Sequence, residues 1–176
     1  MQKVIQYLPT IHIKNILFML IIVAGCQSKE LVELPKDLAM LSPSNELIKV
    51  KVVYSAEDQA QGLSGIASKD FQLNQAMLFF NIQDSLKRFW MPDTYFNLDI
   101  IFLDKNLKVI DMDKNVAHYP GRSSFKDIPR AKPVFCRHVL EMKANSPISS
   151  QFKIGDTLKI KDFSLEQIEQ GIRRGL

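Results

Sequence analysis

Cysteine is scarce in this sequence, which has only Cys26 and Cys136 among 176 residues. Two cysteines can form at most one crosslink, so a disulfide framework is excluded as the source of stability. A packed apolar core must hold the fold instead. A chain of this length with 46% hydrophobic residues can form one compact domain with such a core.

An excess of one charge is also lacking. The chain has 23 basic and 19 acidic residues, and the first 25 residues contain Lys3 and Lys14 but no acid. The rest therefore carries 21 basic against 19 acidic residues, a balance that gives no basic surface for nucleic acid. A structural zinc site needs four ligands, and after residue 25 the pair Cys136 and His138 has only His118 as a further histidine and no cysteine to spare, so we expect no metal and no cofactor.

One long hydrophobic run lies near the start of the chain. Residues 16–23 are apolar without interruption and follow Lys14, which is the pattern of a signal peptide. A membrane-spanning helix needs about 20 apolar residues, and Gly25 and Cys26 end this run well before that length. We therefore predict a removable signal peptide over residues 1–25.

The predicted signal peptide is followed by a cysteine in Val23-Ala24-Gly25-Cys26, which resembles the bacterial lipobox. The resemblance implies that Cys26 carries a diacylglycerol and an amide-linked acyl chain, and stable anchoring requires more than one chain. Gln27 after the cysteine, rather than Asp, resembles the pattern of lipoproteins that are usually sent on to an outer membrane. We expect an exported protein that is lipid-anchored in the bacterial cell envelope, in the outer membrane facing the periplasm. The alternative is an ordinary secretory signal with an incidental cysteine.

The sequence after the signal peptide divides into three parts. Residues 26–46 mix charge, proline and serine without a period, which predicts a flexible tether behind the lipidated cysteine. Residues 47–163 have the pattern of a β domain. Residues 164–176 predict a C-terminal helical tail that Ser164 caps.

Short strand-like segments follow one another through the β domain with little helix between them. We predict an all-β fold, a mostly antiparallel β-sandwich or barrel-like sheet with one or two short helices. Crossover helices of the βαβ type are not expected. Residues 56–63 are predicted to form a helix and residues 114–133 a long loop. The predicted strands are 48–52, 76–80, 88–91, 98–103, 108–112, 134–142 and 158–163.

Several motifs occur in order along this domain. They are Met77-Leu78-Phe79-Phe80, Phe89-Trp90-Met91-Pro92-Asp93-Thr94, Leu98-Asp99-Ile100-Ile101-Phe102-Leu103-Asp104, Val139-Leu140-Glu141-Met142 and Ile154-Gly155-Asp156. Over about residues 48–161 the sequence resembles the domain of unknown function 192 (DUF192) family. The resemblance implies an all-β fold, often behind a signal or lipid anchor, without an established activity. The chain departs from the family pattern at Ser64-Gly65, where Met and then Arg are more usual.

Asp99 is the most informative polar position. On the predicted strand it shares a face with Ile101 and Leu103, and both faces of that strand are apolar, so the carboxylate needs partners. It is either a binding or acid/base carboxylate or a hydrogen-bonded structural pin, and the pin is favoured. The nearest candidate partners in sequence are Arg88, the Trp90 indole and the Thr94 hydroxyl.

Trp90, the single tryptophan, lies just before Pro92 at a strand-to-turn junction. A ring in this position usually packs in the core, but it can also form the floor of a ligand cleft.

Glu141 lies on the predicted strand 134–142. Alternation along this strand places His138 and Cys136 together on the opposite, apolar face. We therefore expect a core histidine and a buried, unreactive thiol.

The leading functional hypothesis is a non-catalytic envelope module, without assigned catalytic residues. Its expected partners are the membrane, through the lipid anchor, and a small ligand, a glycan or an envelope protein. The first alternative is a hydrolase-like enzyme in which Asp99 pairs with Asp93 or Glu141. The second is a structural component of an envelope complex. The candidate ligand-binding or structural-pin residues are Trp90, Asp93, Thr94, Asp99 and Glu141.

Overall fold

The computed structural model describes residues 36–123 and 125–175. The predicted signal peptide and Cys26 lie outside the described residues. No helix in the described part is long and apolar enough to cross a membrane.

The described chain forms nine strands, two α-helices and two single 3₁₀ turns. The strands are β1 (Asp37–Leu41), β2 (Leu47–Val53), β3 (Gln75–Phe79), β4 (Ser85–Lys87), β5 (Leu98–Leu103), β6 (Val109–Val116), β7 (Val134–Cys136), β8 (His138–Lys143) and β9 (Lys159–Ile160). The helices are α1 (Ala56–Gln61) and α2 (Leu165–Gly175), and the 3₁₀ turns are Ser68–Asp70 and Ser149–Gln151.

Seven strands form one curled mixed sheet in the order β6-β5-β8-β3-β2-β1-β9, and β4 pairs with β7 in a separate ribbon. Strands β2 and β3 are parallel, whereas every other pair in the described sheets is antiparallel. The predicted β-rich, mostly antiparallel fold with two short helices is confirmed. The expectation that crossover helices are missing is wrong, because α1 lies between the two parallel strands.

Local sequence explains where α1 begins and ends. The Ser55 hydroxyl accepts a hydrogen bond from the backbone N–H of Asp58 at 3.0 Å, which caps the first turn. Gly62 has a φ of 50° and ends the helix in a conformation that glycine adopts more easily than other residues. The predicted helix is confirmed, and its end brings residues 62–65 back towards the sheet.

The β domain begins earlier than the predicted boundary at residue 47. Strand β1 lies inside the stretch predicted as a flexible tether and pairs with both β2 and β9. Leu38 and Met40 from this strand are buried in the core. The tether prediction is therefore wrong from residue 37 onwards, and a domain cut at residue 47 would lack a core strand.

The C-terminal helix belongs to the same core. Ser164 accepts a hydrogen bond from the backbone N–H of Gln167 at 3.1 Å, while the Gln167 side chain accepts one from the N–H of Ser164 at 2.8 Å. This reciprocal capping box confirms the predicted start of the helix. Ile168 and Ile172 are buried against the sheet, so α2 is a covering element rather than an appended tail.

Strand β6 continues to Val116, so the predicted loop 114–133 is wrong at its start, and the predicted strand 158–163 is shortened to β9. Two other predicted strands are absent or interrupted. Residues 88–91 do not form a strand; Trp90 only bridges Arg130, and the nearby strand is β4. The predicted strand 134–142 is interrupted at Arg137, which donates its backbone N–H to the Leu103 carbonyl and separates β7 from β8. This break changes which face the preceding residues occupy.

Both faces of the large sheet are covered by apolar clusters. The first cluster contains Ile101, Leu103, Leu140 and Met142 and extends to α2. The second contains Leu98, Ile100, Phe102 and Val139, together with residues from the loops that follow α1 and β4, among others. Alternation along β5 and β8 thus sends successive side chains into two separate cores.

Candidate functional site

Asp99 is buried on the face of β5 that it shares with Ile101 and Leu103, as predicted. The register between β5 and β6 shifts here, because two steps along β5 from Leu98 to Ile100 correspond to three along β6 from Val116 to Asp113. The extra residue forms a β-bulge opposite Asp99.

Three groups donate hydrogen bonds to the Asp99 carboxylate, and two of them belong to residues of the bulge. Asn115, with a φ of 54°, donates its backbone N–H to Oδ1 at 2.9 Å. Lys114 Nζ lies 3.2 Å from Oδ2, and the buried Ser149 hydroxyl donates to the same oxygen at 2.6 Å. Both oxygens are therefore engaged, which is the arrangement of a structural pin.

The prediction that Arg88, Trp90 or Thr94 is the partner of Asp99 is wrong. Arg88, Trp90 and Thr94 line a cavity together with Glu141, whose side chain lies on the second cluster's side of the sheet. The register explains this separation, since Asp99 pairs with Met142 whereas Glu141 pairs with Ile100. The sheet itself stands between the two carboxyl groups, and they do not form a catalytic pair.

Glu141 is 4% exposed and lies on β8 between Met77 of β3 and Ile100 of β5. Within the described part of the chain, its carboxyl group has no hydrogen bond and no ion pair. Burial raises the pKa of this carboxyl from 4.5 to about 8. Glu141 is therefore mostly a neutral acid at pH 7.

A small cavity of about 110 Å³ lies against Glu141. Every fully enclosed side-chain nitrogen or oxygen in residues 36–123 and 125–175 has a hydrogen-bond partner. The Glu141 oxygens have none, so they remain accessible from the cavity. The walls come from the end of α1 and its following loop, from the segment after β4, and from β3, β5 and β8. The lining residues are Gln59, Ala60, Gln61, Gly62, Leu63, Ser64, Phe79, Arg88, Phe89, Trp90, Met91, Pro92, Thr94, Leu98 and Glu141.

Several polar side chains in the cavity wall already donate to backbone carbonyls. Gln59 Nε2 donates to the Phe80 carbonyl at 3.1 Å, and Gln61 Nε2 donates to the Ser64 carbonyl at 2.6 Å. Ser64 Oγ donates to the Pro92 carbonyl at 2.7 Å. These bonds fix the walls and leave Glu141 as the buried ionisable group that faces the cavity.

Trp90 is 44% exposed, so the interpretation of this ring as a core side chain is wrong. It lines the Glu141 cavity and also a surface groove shared with Phe125 and Arg130. The Trp90 and Phe125 ring centroids are 5.0 Å apart, and the Arg130 guanidinium lies 5.0 Å from the Phe125 centroid. Trp90 thus lies between the Glu141 cavity and the surface groove that contains Phe125 and Arg130.

Thr94 and Asp93 hold loops together. The buried Thr94 hydroxyl donates to the Met91 carbonyl at 2.9 Å and accepts from the Tyr119 N–H at 3.0 Å. Asp93, with a φ of 55°, accepts the Gly65 N–H on its backbone carbonyl at 2.8 Å. Thr94 lies in the cavity wall with its hydroxyl already bonded, and Asp93 is not among the lining residues.

Cys136 and His138 are both buried, as predicted, but they do not share a face. Cys136 belongs to the second cluster, whereas His138 packs its ring against Phe80 of the first cluster. The centroids of these two rings are 4.3 Å apart. Burial raises the pKa of the Cys136 thiol to about 11 and lowers the pKa of His138 to about 3. His138 Nδ1 accepts the Asn81 N–H at 3.2 Å, so it is a neutral core histidine.

The structure brings together Trp90, Thr94 and Glu141 from the predicted set and leaves Asp93 and Asp99 elsewhere. Sequence reasoning missed Gln59 and Arg88 as cavity residues. Ser64, where the chain departs from the family pattern, also lies in the cavity wall.

The fold and the cavity define a small, predominantly β domain that encloses a carboxyl group to which none of the described residues donates a hydrogen bond. A family model for DUF192, described as "Uncharacterized ACR", matches residues 39–160. The chain therefore belongs to the DUF192 family. No curated protein matches it in sequence.

Two solved structures resemble the fold. One is a Sinorhizobium meliloti protein provisionally described as a transcription regulator, which is 21% identical, with 73% of this chain and 96% of that chain covered and a TM-score of 0.55. The other is a Novosphingobium aromaticivorans protein of unknown function, also 21% identical, with 70% and 83% covered and a TM-score of 0.55. At this identity the likeness supports the fold alone.

Proposed function

We propose that this protein is a lipid-anchored, non-catalytic module of the bacterial cell envelope that binds a small polar group in the cavity between Glu141 and Trp90. The observation that carries the binding proposal is the unpartnered Glu141 carboxyl facing that cavity. Leaving a buried carboxyl without a partner costs stability, and a ligand that completes its hydrogen bonds would recover part of that cost.

The cavity size limits the ligand. Sites for drug-sized molecules have volumes of roughly 300–1,000 Å³. The Glu141 cavity, at about 110 Å³, admits one small headgroup or the end of a larger molecule. The groove beside Trp90 would accommodate the remainder of such a molecule.

Paired-carboxylate hydrolysis fits the geometry poorly. General acid and base groups must both reach the substrate. Asp99 is engaged by three donors on the other side of the sheet, and Asp93 does not line the cavity. Binding is therefore the better-supported function of this site.

Binding is testable through the single tryptophan. The predicted mature chain, residues 26–176 with Cys26→Ser to prevent acylation, gives one indole N–H signal by NMR. We expect this Trp90 signal to shift saturably with at least one of n-propanol, n-propylammonium or propionate. The shift should weaken in Glu141→Gln. If none of the three probes produces a saturable shift, the cavity is not a small-ligand site and the binding proposal fails.

The lipid anchor has a separate test. Bacteria that express the full chain should incorporate radiolabelled palmitate into the wild-type protein and not into Cys26→Ser. The Cys136→Ser variant is the matched control and should retain the label. Continued labelling of Cys26→Ser would contradict acylation at Cys26.

A further inference from the structure

The charge of the group that fits beside Glu141 can be inferred from the cavity walls. The side-chain nitrogens of Gln59 and Gln61 and the hydroxyls of Ser64 and Thr94 already donate to backbone carbonyls. In the described residues, the lining side chains with donors that make no hydrogen bond include Arg88 and Trp90, which are both exposed, while the Glu141 carboxyl is a free acceptor when ionised. A ligand group that hydrogen-bonds the ionised Glu141 carboxylate must bring its own N–H or O–H donors.

The surroundings of Glu141 favour a donor that is also a cation. Its neighbours on the adjacent strands are Met77 and Ile100, and among the lining residues the only other charged group is Arg88. Arg88 is exposed, so water screens its charge, whereas the interaction between a buried carboxylate and an entering cation is only weakly screened.

We propose that the cavity binds a small primary amine, with the ammonium group against the Glu141 carboxylate and the aliphatic stem beside Trp90 and Phe89. This inference rests on the proposed binding function and specifies its ligand class. An ammonium group is compact and has three N–H donors, which suits a cavity of about 110 Å³. The adjoining aromatic rings would provide apolar and cation–π contacts.

Proton competition gives this proposal a distinctive pH dependence. Since burial raises the pKa of Glu141 to about 8, the empty site holds a proton at pH 7 that the ammonium group displaces. An alkylamine stays protonated through this range, as lysine does. Amine affinity should therefore rise about tenfold between pH 6.5 and pH 7.5.

The test compares three probes of similar size by following the Trp90 indole signal in residues 26–176 with Cys26→Ser. We expect n-propylammonium to bind, and n-propanol and propionate to bind at least tenfold more weakly at equal ionic strength. Glu141→Gln keeps the side-chain shape and should weaken amine binding by at least tenfold. Asp93→Asn, which removes a nearby carboxylate outside the cavity, should leave the affinity unchanged.

The possible outcomes separate this inference from the general binding proposal. If n-propanol or propionate binds saturably and more tightly than the amine, the site binds ligands but the amine assignment is overturned. Equal weakening by Asp93→Asn and Glu141→Gln would show that general negative charge, rather than the buried carboxylate, attracts the amine. Affinity for n-propylammonium that is independent of pH between 6.5 and 7.5 would also overturn the assignment. Tight, pH-dependent amine binding that only Glu141→Gln weakens would sustain it.

Discussion

Asp99 and Glu141 are buried carboxyl groups at neighbouring register positions on opposite faces of one sheet. Asp99 is 2% exposed and engaged by Lys114, Asn115 and Ser149. Glu141 is 4% exposed, and within the described residues no group donates a hydrogen bond to it. The two carboxyl groups are thus buried to a similar extent, but only Asp99 has hydrogen-bond donors around it. Such donors, rather than the extent of burial, decide whether an ionised carboxylate is stabilised.

Asp99 and Glu141 have different roles in the molecule. The bulge in β6 and the turn at Ser149–Gln151 meet at Asp99, so that carboxylate joins distant segments of the chain. The cavity wall around Glu141 is held by other bonds, such as Ser64 to Pro92, and does not need its carboxylate. Asp99 should therefore matter for stability, and Glu141 for binding and pH response.

The largest effect is expected from Asp99→Ala. Removing the carboxylate leaves the fully buried Ser149 hydroxyl and the Lys114 ammonium without this acceptor. The free energy of unfolding in urea should fall by about 3 kcal/mol at pH 7. Asp99→Asn, which retains one acceptor oxygen, is the control and should lose less. A loss below about 1 kcal/mol in Asp99→Ala would contradict the pin.

Glu141 should make the protein less stable as pH rises from 6.5 to 8.5. The unfolded chain releases this proton near pH 4.5, whereas the folded chain keeps it until its pKa of about 8. Raising the pH therefore penalises only the folded state, by about 2 kcal/mol over this window. Urea unfolding at several pH values should show this decline in wild type and not in Glu141→Gln. If the stability of wild type and of Glu141→Gln changed with pH in the same way, the assignment of Glu141 as a carboxyl without a partner would be contradicted.

His138 should produce the opposite slope at lower pH. Its pKa is lowered from 6.5 to about 3, mainly by burial. As the pH falls below 6.5, His138 therefore binds a proton in the unfolded chain but stays neutral in the folded chain. In Glu141→Gln, where the opposing glutamate slope is absent, stability should fall by about 1 kcal/mol between pH 6.5 and 5.5. The double variant with His138→Asn should lose this decline. Its persistence there would assign the slope to another group.

Lys114→Met should have the smallest effect. The Lys114 side chain is 37% exposed, so water screens its ion pair with Asp99, and Ser149 and Asn115 still donate to the carboxylate. The expected loss in free energy of unfolding is below about 1 kcal/mol. Ser149→Ala should cost more, because its hydroxyl is buried. The reverse order would mean that the ammonium rather than the hydroxyl holds Asp99.

Local sequence predicted the strands and faces that depend on alternation, including the side of β5 on which Asp99 lies. It did not predict the partners of Asp99, because a bulge at Lys114 and Asn115 and a turn at Ser149 reach it across the sheet. The cavity was hidden for the same reason, since residues 59–64 meet residues 88–94 only through tertiary packing. Alternation also failed at Arg137, where a backbone hydrogen bond interrupts the strand.

The most direct test of the difference between the two carboxyl groups is a carbon-13 NMR titration of the Glu141 side-chain carboxyl. We predict a midpoint near pH 8 in the free protein, shifted to lower pH when n-propylammonium is present. The Glu141→Gln variant identifies the signal by its loss. A midpoint near 4.5 would mean that a donor or solvent already stabilises the Glu141 carboxylate, and would contradict its assignment as the unpartnered group of the site.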